Sequence, residues 1–288
     1  MIVVTGATGQ LGRLVVRHLL ELVPADQLAV VVRDRARATH PAEHGITVRT
    51  ADHDIPESLI DAFQPGDRVL LVSGNQLGRR LAQHDAVIQA AKTADVALLA
   101  YTSILGGPAT RFVIADDHQA TEHAIEQSGL PFTFLRNGWY TENYTTQLPH
   151  VLARGTVIGT ADGHSRLATA TRDDYAAAAA AVLAGTGHEN MTYELSGDRS
   201  WSLHEYAAEL SRHAGENITY QQVSAVDYQR MLSAAGLPDA MLPVFVDTED
   251  AIARGELATV TGDLSRLIDR PTTPLPAAIK TQLATAGQ

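Results

Sequence analysis

The chain opens MIVVTGATGQLGRLVVRHLL, and no other stretch restricts its fold so tightly. Residues 1–4 are apolar and partly β-branched, as a buried strand requires. Gly6, Gly9 and Gly12 follow at a spacing of three, and apolar residues then recur with a helical period at Leu11, Leu14, Val15 and Leu19. A strand that bends through glycines into a helix brings the helix start against something side chains would otherwise block. Gly6 permits the tight turn, Gly9 lets backbone approach a ligand, and Gly12 permits close helix–strand contact. The amides around Thr8, Gly9, Gln10 and Leu11 lie at a helix N-terminus, where partial positive charge favours phosphate. The expected occupant is the pyrophosphate of a dinucleotide, with Ala7 completing the turn.

Further along, strand-like and helix-like segments alternate. Residues 3–5, 28–32, 47–49, 68–72, 97–101 and 133–135 read as short buried strands, and 12–22, 57–63, 81–93 and 117–127 as helices. This rhythm predicts an α/β fold, a doubly wound parallel sheet of Rossmann type with helices on both faces. After about residue 140 the alternation loosens. Residues 171–185 are alanine-rich and helical, 191–197 read as a strand returning to the sheet, 201–215 as a helix and 218–224 as a strand. The remainder reads as helical, broken at Pro238, Pro243, Pro271, Pro274 and Pro276. The expected organisation is a dinucleotide-binding domain over 1–155 and a smaller C-terminal α/β substrate lobe over most of 156–288.

Composition narrows the function classes. Cysteine is absent, which removes disulfides, thiolate metal sites and cysteine nucleophiles. A net charge of −11 offers no basic face for nucleic acid. A strand beginning at Met1 and the lack of a long apolar run predict neither a secretory leader nor a membrane span, so a cytoplasmic protein is expected. His40 and His44 are four apart, but Pro41 is expected to break the helix such a pair needs, leaving a surface loop and no metal site. No glycine-flanked serine elbow offers a nucleophile for acyl transfer.

The second strand bears on cofactor choice. An NAD site carries an acid at its end to hold the ribose hydroxyls. Here the strand runs into Arg33, about twenty residues past the glycines, with Arg37 one helical turn further on. Two arginines so placed suit a 2′-phosphate, hence NADPH. Asp34 leaves the alternative open, since a strand ending one residue later would present an acid. By topology Asp52 can meet the adenine amino group, while Gly74, Asn75, Gln76 and Leu77 lie toward the inner ribose and nicotinamide. Many reductases of this fold use a tyrosine with a lysine four residues later. The eight tyrosines are followed at that offset by Leu105, Tyr144, Leu148, Ala179, Gly197, Leu210, Ser224 and Leu232. Alcohol–ketone chemistry in its usual form therefore lacks its proton-transfer group.

Several stretches together, TGATGQLG, ITVRTAD, AYTS, TEHAIEQSGLPFTFLRNGWYTENY, ATATRDDYAAAAAAVL and YELSGD, resemble the NmrA-like, atypical short-chain dehydrogenase family, in particular its NAD(P)H:quinone oxidoreductases and the related triphenylmethane-dye reductases. The resemblance covers nearly the whole chain. It implies an NADPH-binding Rossmann domain, a small C-terminal domain and a cleft between them. It also implies cofactor contacts at residues 6–11, at Arg33, at residues 75–77 and from Asn137 onward. Some NmrA-like proteins bind the dinucleotide without turnover as redox sensors, which gives the alternative reading.

The segment LRNGWYTENY agrees residue by residue. Asn137 can bond a carboxamide and Gly138 lets backbone come close, while Trp139 and Tyr140 offer flat faces to a planar acceptor or else plug the interlobe seam. His118 falls about where family members carry a lysine or histidine near the nicotinamide; taken alone it reads as a solvated helix residue. The expected reaction is direct hydride transfer to a quinone or dye-like acceptor, with Asn137, Tyr140 and His118 as the catalytic candidates and water, Tyr140 or His118 supplying protons. Oligomer formation is left open.

Overall fold

The structure is a computed structural model that describes residues 1–76 and 78–286. Six strands and four helices alternate through the first half: β1 (Ile2–Thr5), α1 (Gln10–Leu22), β2 (Leu28–Val32), α2 (Thr39–Glu43), β3 (Thr47–Thr50), β4 (Arg68–Leu71), α3 (Arg80–Thr93), β5 (Leu98–Ile104), α4 (Ala115–Ser128) and β6 (Phe132–Asn137). The second half runs α5 (Glu142–Thr145), α6 (Leu148–Arg154), β7 (Thr156–Gly159), β8 (Arg166–Leu167), α7 (Arg172–Ala184), β9 (Met191–Leu195), β10 (Trp201–Ser202), α8 (Leu203–Ala214), β11 (Thr219–Gln222), α9 (Ala225–Ala234), α10 (Leu242–Ala253), α11 (Asp263–Leu267) and α12 (Leu275–Ala286).

One seven-stranded sheet has the order β3-β2-β1-β4-β5-β6-β9, and every neighbouring pair in it is parallel. Parallel strands covered on both faces are apolar at successive positions, because each face needs its own core. Val4 and Leu70 point into one core, with Val15, Leu19 and the alanines of α7. Val3, Val69 and Leu71 point into the other, with Val87, Ile88 and Ile125 of α3 and α4. The chain order reverses direction between β1 and β4, so the crevice beyond their carboxyl ends is where such a sheet accepts ligands. A third core, built from Leu148, Leu167, Trp201, Tyr206, Ile252 and Leu257, forms the C-terminal lobe. Phe112, from the loop between β5 and α4, reaches into it.

Several local expectations need correction. The helix read over 57–63 is a short 3-10 turn at Pro56–Leu59. There the Ser58 hydroxyl donates to Ile55 O at 2.7 Å and accepts from Asp52 N at 2.8 Å, drawing backbone partners away from a helical ladder. Pro41 does not break its segment: it lies inside α2, in the first turn, where no intrahelical amide is needed. Pro243 and Pro276 likewise occupy first-turn positions of α10 and α12, starting helices rather than interrupting them. Finally, β5 and β6 run on to Ile104 and Asn137, which pair with each other. The polar residues Thr102, Ser103 and Arg136 hide the strand pattern at this end of the sheet. Asn137 is thus the last residue of a strand, and not the first of a loop.

Candidate active site

At the mouth of β1, Gly6 adopts φ +60° and its carbonyl accepts from Gly9 N at 2.9 Å, closing the turn. A side chain at Gly12 would place its Cβ 2.3 Å from Gly6 O, so the third glycine is required by the turn itself. α1 then starts with no side-chain cap and no acid in its first turn. Its leading amides, at Gln10, Leu11 and Gly12, are left for an anion. The Gly9 amide is already used within the turn, and the Ala7 side chain is buried in the core beneath it. Thr8, Gly9, Gln10 and Leu11 line a cavity of about 740 Å³ that runs the width of the crevice.

One end of this space divides into a smaller hollow bounded by Thr8, Val32, Arg33, Asp34, Arg37 and Asp52. Of the two rivals, Asp34 bounds the hollow but also serves as a helix cap. The Asp34 carboxylate accepts from Ala36 N at 2.9 Å and starts the 3-10 turn Arg35–Ala38. Arg33 and Arg37, both exposed, remain facing the hollow. Asp52 lines both spaces.

Toward the centre, Gly74, Asn75 and Gln76 line the wall after β4, while Leu77 lies outside the described residues. Ser73 N donates to Thr102 Oγ1 at 2.8 Å, fixing the exit of β4 to β5. Beyond them come Ser103, His118, Asn137, Gly138, Trp139 and Tyr140. Asn137 is held by its backbone, whose carbonyl accepts from Leu105 N at 2.9 Å, and Gly138 N donates to Leu195 O at 2.8 Å. A side chain at Gly138 would meet Leu195 O and the Tyr175 hydroxyl, each at 3.0 Å. Trp139 meets Phe112 edge-on at a centroid distance of 5.4 Å, and Tyr140 meets Tyr175 in the same manner at 5.4 Å. The two rings therefore anchor in different lobes while both line the cavity. The Arg172 guanidinium lies 4.6 Å from the Tyr140 ring centre.

Behind this wall is a polar network. His118 is 5% exposed, and not the solvated helix residue its isolated position suggests, because α4 packs that face onto β5 and α3. The Tyr101 hydroxyl lies 2.8 Å from His118 Nδ1. Burial pushes the Tyr101 pKa up, so the phenol keeps its proton. The Thr121 hydroxyl is a second neighbour of the Tyr101 oxygen, so Tyr101, His118 and Thr121 share one hydrogen-bonded cluster. His84 Nε2 accepts from Gly74 N at 3.0 Å, and its Nδ1–H donates to Thr121 Oγ1 at 2.9 Å. Burial first, and then the Arg80 cation, lowers both histidines to about 3. Arg80, 6% exposed, donates from Nε to Gly74 O at 2.7 Å.

Four buried side-chain atoms among the described residues have no hydrogen-bond partner: Asn137 Oδ1, Ser103 Oγ, Arg80 Nη1 and Tyr175 OH. Native interiors rarely leave such groups unpaired. Asn137, Ser103 and Arg80 border the cavity, so the residues present suit a bound molecule rich in donors and acceptors. Beyond Asn137 the lining turns apolar, through Ile104, Leu105, Phe112, Ile114 and Leu257. Sequence reading did not find Arg80, Gln83, Ser103, Phe112, Ile114 or Leu257. No local motif carries them, and only the tertiary fold brings them together.

A doubly wound sheet, an uncapped helix start behind three glycines and a cavity leading from two arginines to an amide-and-aromatic wall define a dinucleotide-binding protein with room for a second, flatter ligand. A family model described as NAD(P)H-binding matches residues 6–186, and the chain belongs to that family. It is 44% identical over 279 residues to quinone oxidoreductase 2 of Escherichia coli (strain K12), covering 97% of each chain. A solved structure of an Escherichia coli NADPH-dependent quinone oxidoreductase complexed with NADPH matches it with a TM-score of 0.95 at 43% identity, over 98% of this chain and 100% of that one. The Citrobacter sp. triphenylmethane reductase complexed with NADP(H) matches with a TM-score of 0.93 at 37% identity, over 98% and 99%. No helix among the described residues is long and apolar enough to cross a membrane.

Proposed function

We propose that the protein is an NADPH-dependent reductase that delivers two electrons to a quinone or a similar planar, electrophilic acceptor. The observation that carries this reading is the cavity joining the uncapped start of α1 and the Arg33–Arg37 hollow to the unpartnered Asn137 Oδ1, with apolar and aromatic walls beyond. The solved relatives support it, one holding NADPH and named a quinone oxidoreductase, the other holding NADP(H) and named a triphenylmethane reductase.

In this reading the first-turn amides of α1 hold the pyrophosphate, Arg33 and Arg37 the 2′-phosphate, and Asp52 the adenine edge. Gly74, Asn75 and Gln76 border the inner ribose, and Asn137 and Gly138 fix the carboxamide. A bound reduced nicotinamide supplies the hydride. Trp139 and Tyr140 hold the acceptor flat against it and exclude water, and near-attack positioning of this kind removes several kcal/mol, roughly, from a barrier. A quinone is already electrophilic, so the missing tyrosine–lysine pair is no obstacle. Burial holds His118 neutral, so the imidazole is not the acid of the reaction, and burial likewise holds the Tyr140 phenol protonated. The proton that completes the hydroquinone then comes from water.

The test is consumption of NADPH in the presence of a simple benzoquinone. Turnover is expected in the parent and loss of it in Asn137→Ala/Tyr140→Ala. Arg33→Ala should weaken NADPH by about ten- to a hundredfold, the contribution of one charge-assisted bond, and leave NADH unchanged. Tight NADPH binding without turnover across quinones, dyes and carbonyls would replace the enzyme with a redox sensor.

A further inference from the structure

One wall of the cavity is a loop whose own regular structure is a single 3-10 turn, Gly107–Ala109. Residues 105–114 connect β5 to α4, and Thr110, Phe112 and Ile114 line the cavity. The loop leaves β5 through Gly106 and Gly107, at φ +85° and +44°, a pair of left-handed positions that only glycine adopts readily. Beyond this hinge its backbone finds partners in the other lobe. Val113 N donates to Asp247 Oδ2 at 2.6 Å, and Arg111 N donates to Glu256 Oε2 at 3.0 Å. The Thr110 hydroxyl donates to the same oxygen of Glu256 at 2.8 Å. Arg254 spans both carboxylates, donating from Nε to Glu256 Oε1 at 2.6 Å and from Nη2 to Asp247 Oδ1 at 3.5 Å. The residue after Glu256 is Leu257, itself part of the cavity wall.

We infer that Asp247 and Glu256 are positioning residues for the acceptor: they latch the 105–114 loop to the C-terminal lobe and so set the shape of the apolar end of the cavity. Neither carboxylate lines the cavity; each acts through the loop. Because amides at positions 111 and 113 are tied outward, Phe112 between them is turned inward, 1% exposed and edge-on to Trp139. The latch therefore fixes the aromatic pair that faces a planar acceptor, while the Arg33–Arg37 hollow and the glycine turn lie elsewhere and do not depend on it.

The inference rests on the reductase reading only for where the acceptor sits, and its test has a readout that needs no turnover. Arg111 is exposed and at the latch, so trypsin cleavage after it, followed by mass spectrometry on cofactor-free protein, reports the loop coming free. Glu256→Ala should speed that cut by about tenfold, the effect of losing a charged hydrogen bond, and Glu256→Gln, whose amide oxygen still accepts, should restore most of the protection. In turnover Glu256→Ala should raise the benzoquinone KM by about tenfold while NADPH Kd stays within about twofold. Unchanged cleavage after Arg111 in both Glu256→Ala and Asp247→Ala, or equal weakening of acceptor and NADPH, would overturn the latch. A parent that oxidises no NADPH with any quinone would overturn the reductase reading instead, and proteolysis alone would then decide the latch.

Discussion

Gly12 shows how one residue can be fixed by its neighbours rather than by its own backbone. A methyl there would sit 2.3 Å from Gly6 O and 2.9 Å from Ala7 Cα, both backbone atoms with no rotamer to change. Gly9 is less constrained, its added Cβ meeting only Gly6 O at 3.1 Å. Gly12→Ala must therefore displace the start of α1 from the turn, and with it the amides proposed to bind pyrophosphate. The expected outcome, read by calorimetry, is loss of NADPH affinity by about a hundredfold or more, with Gly9→Ala less affected. Equal, small effects would mean that the first turn is not the phosphate site. The glycines and Arg33 stood out in the sequence by spacing, Asn137 and Trp139 through the resemblance carried by LRNGWYTENY, and all of them line the cavity. Asp34 was legible only as a rival, since its true role as a cap depends on where β2 stops. Arg80, His84 and Ser103 carried no local signal at all, and buried polar residues of this kind acquire meaning only when a third element closes over them.

At the scale of elements, the alanine-rich stretch is the clearest case of composition dictating packing. α7 lies against α1 in the first core, and Ala176, Ala178, Ala179 and Ala180 are all buried there. Small side chains let the two helices approach closely, and the Thr171 side chain caps α7 by accepting from Asp174 N at 3.2 Å. Asp174, buried in turn, accepts from Thr273 N at 2.9 Å and from Arg270 Nη1 at 2.6 Å, which fastens the C-terminal chain to the sheet. Ala179→Leu inserts three carbons where no space is available, and overpacking of this kind costs about 1–3 kcal/mol. A fall in melting temperature of several degrees is expected; an unchanged value would show that α7 packs more loosely than its composition implies. The helical composition of this stretch was readable, whereas the ends of β5 and β6 were not. Ser103 and Asn137 carry those strand ends to the cavity, while Thr102 bonds Ser73 N and Arg136 bonds Glu122 and Glu194, so polarity disguises the strands.

For the molecule as a whole, the polar network behind the acceptor wall ties β5, α3 and α4 together and couples the fold to pH. His84 and His118 are held near 3, by burial first and by Arg80 second. Asp117 lies 3.6 Å from the Arg80 guanidinium, and its backbone carbonyl accepts from the Thr121 hydroxyl. The unfolded chain takes up protons on both imidazoles as pH drops below about 6.5, while the folded protein does so only near 3. The unfolded state binds more protons throughout that interval, so these histidines leave stability intact above about 6.5 and erode it as pH falls toward 3. The slope is on the order of 1 kcal/mol per pH unit for each histidine. In the same interval His53 and His188, also lowered by burial, add to the decline, whereas Glu142 and Glu249, raised by burial, oppose it, so the share of His84 and His118 is the difference between parent and variant. Urea midpoints should therefore decline across this range in the parent, and the decline should flatten in His84→Gln/His118→Gln, whose amides still hydrogen-bond but do not titrate. The same depression predicts that turnover shows no acid limb near 6.5 arising from His118. An acid limb at that pH that vanished in His118→Gln would mean that the imidazole is charged in the folded site, and the neutral state assigned to it would be wrong.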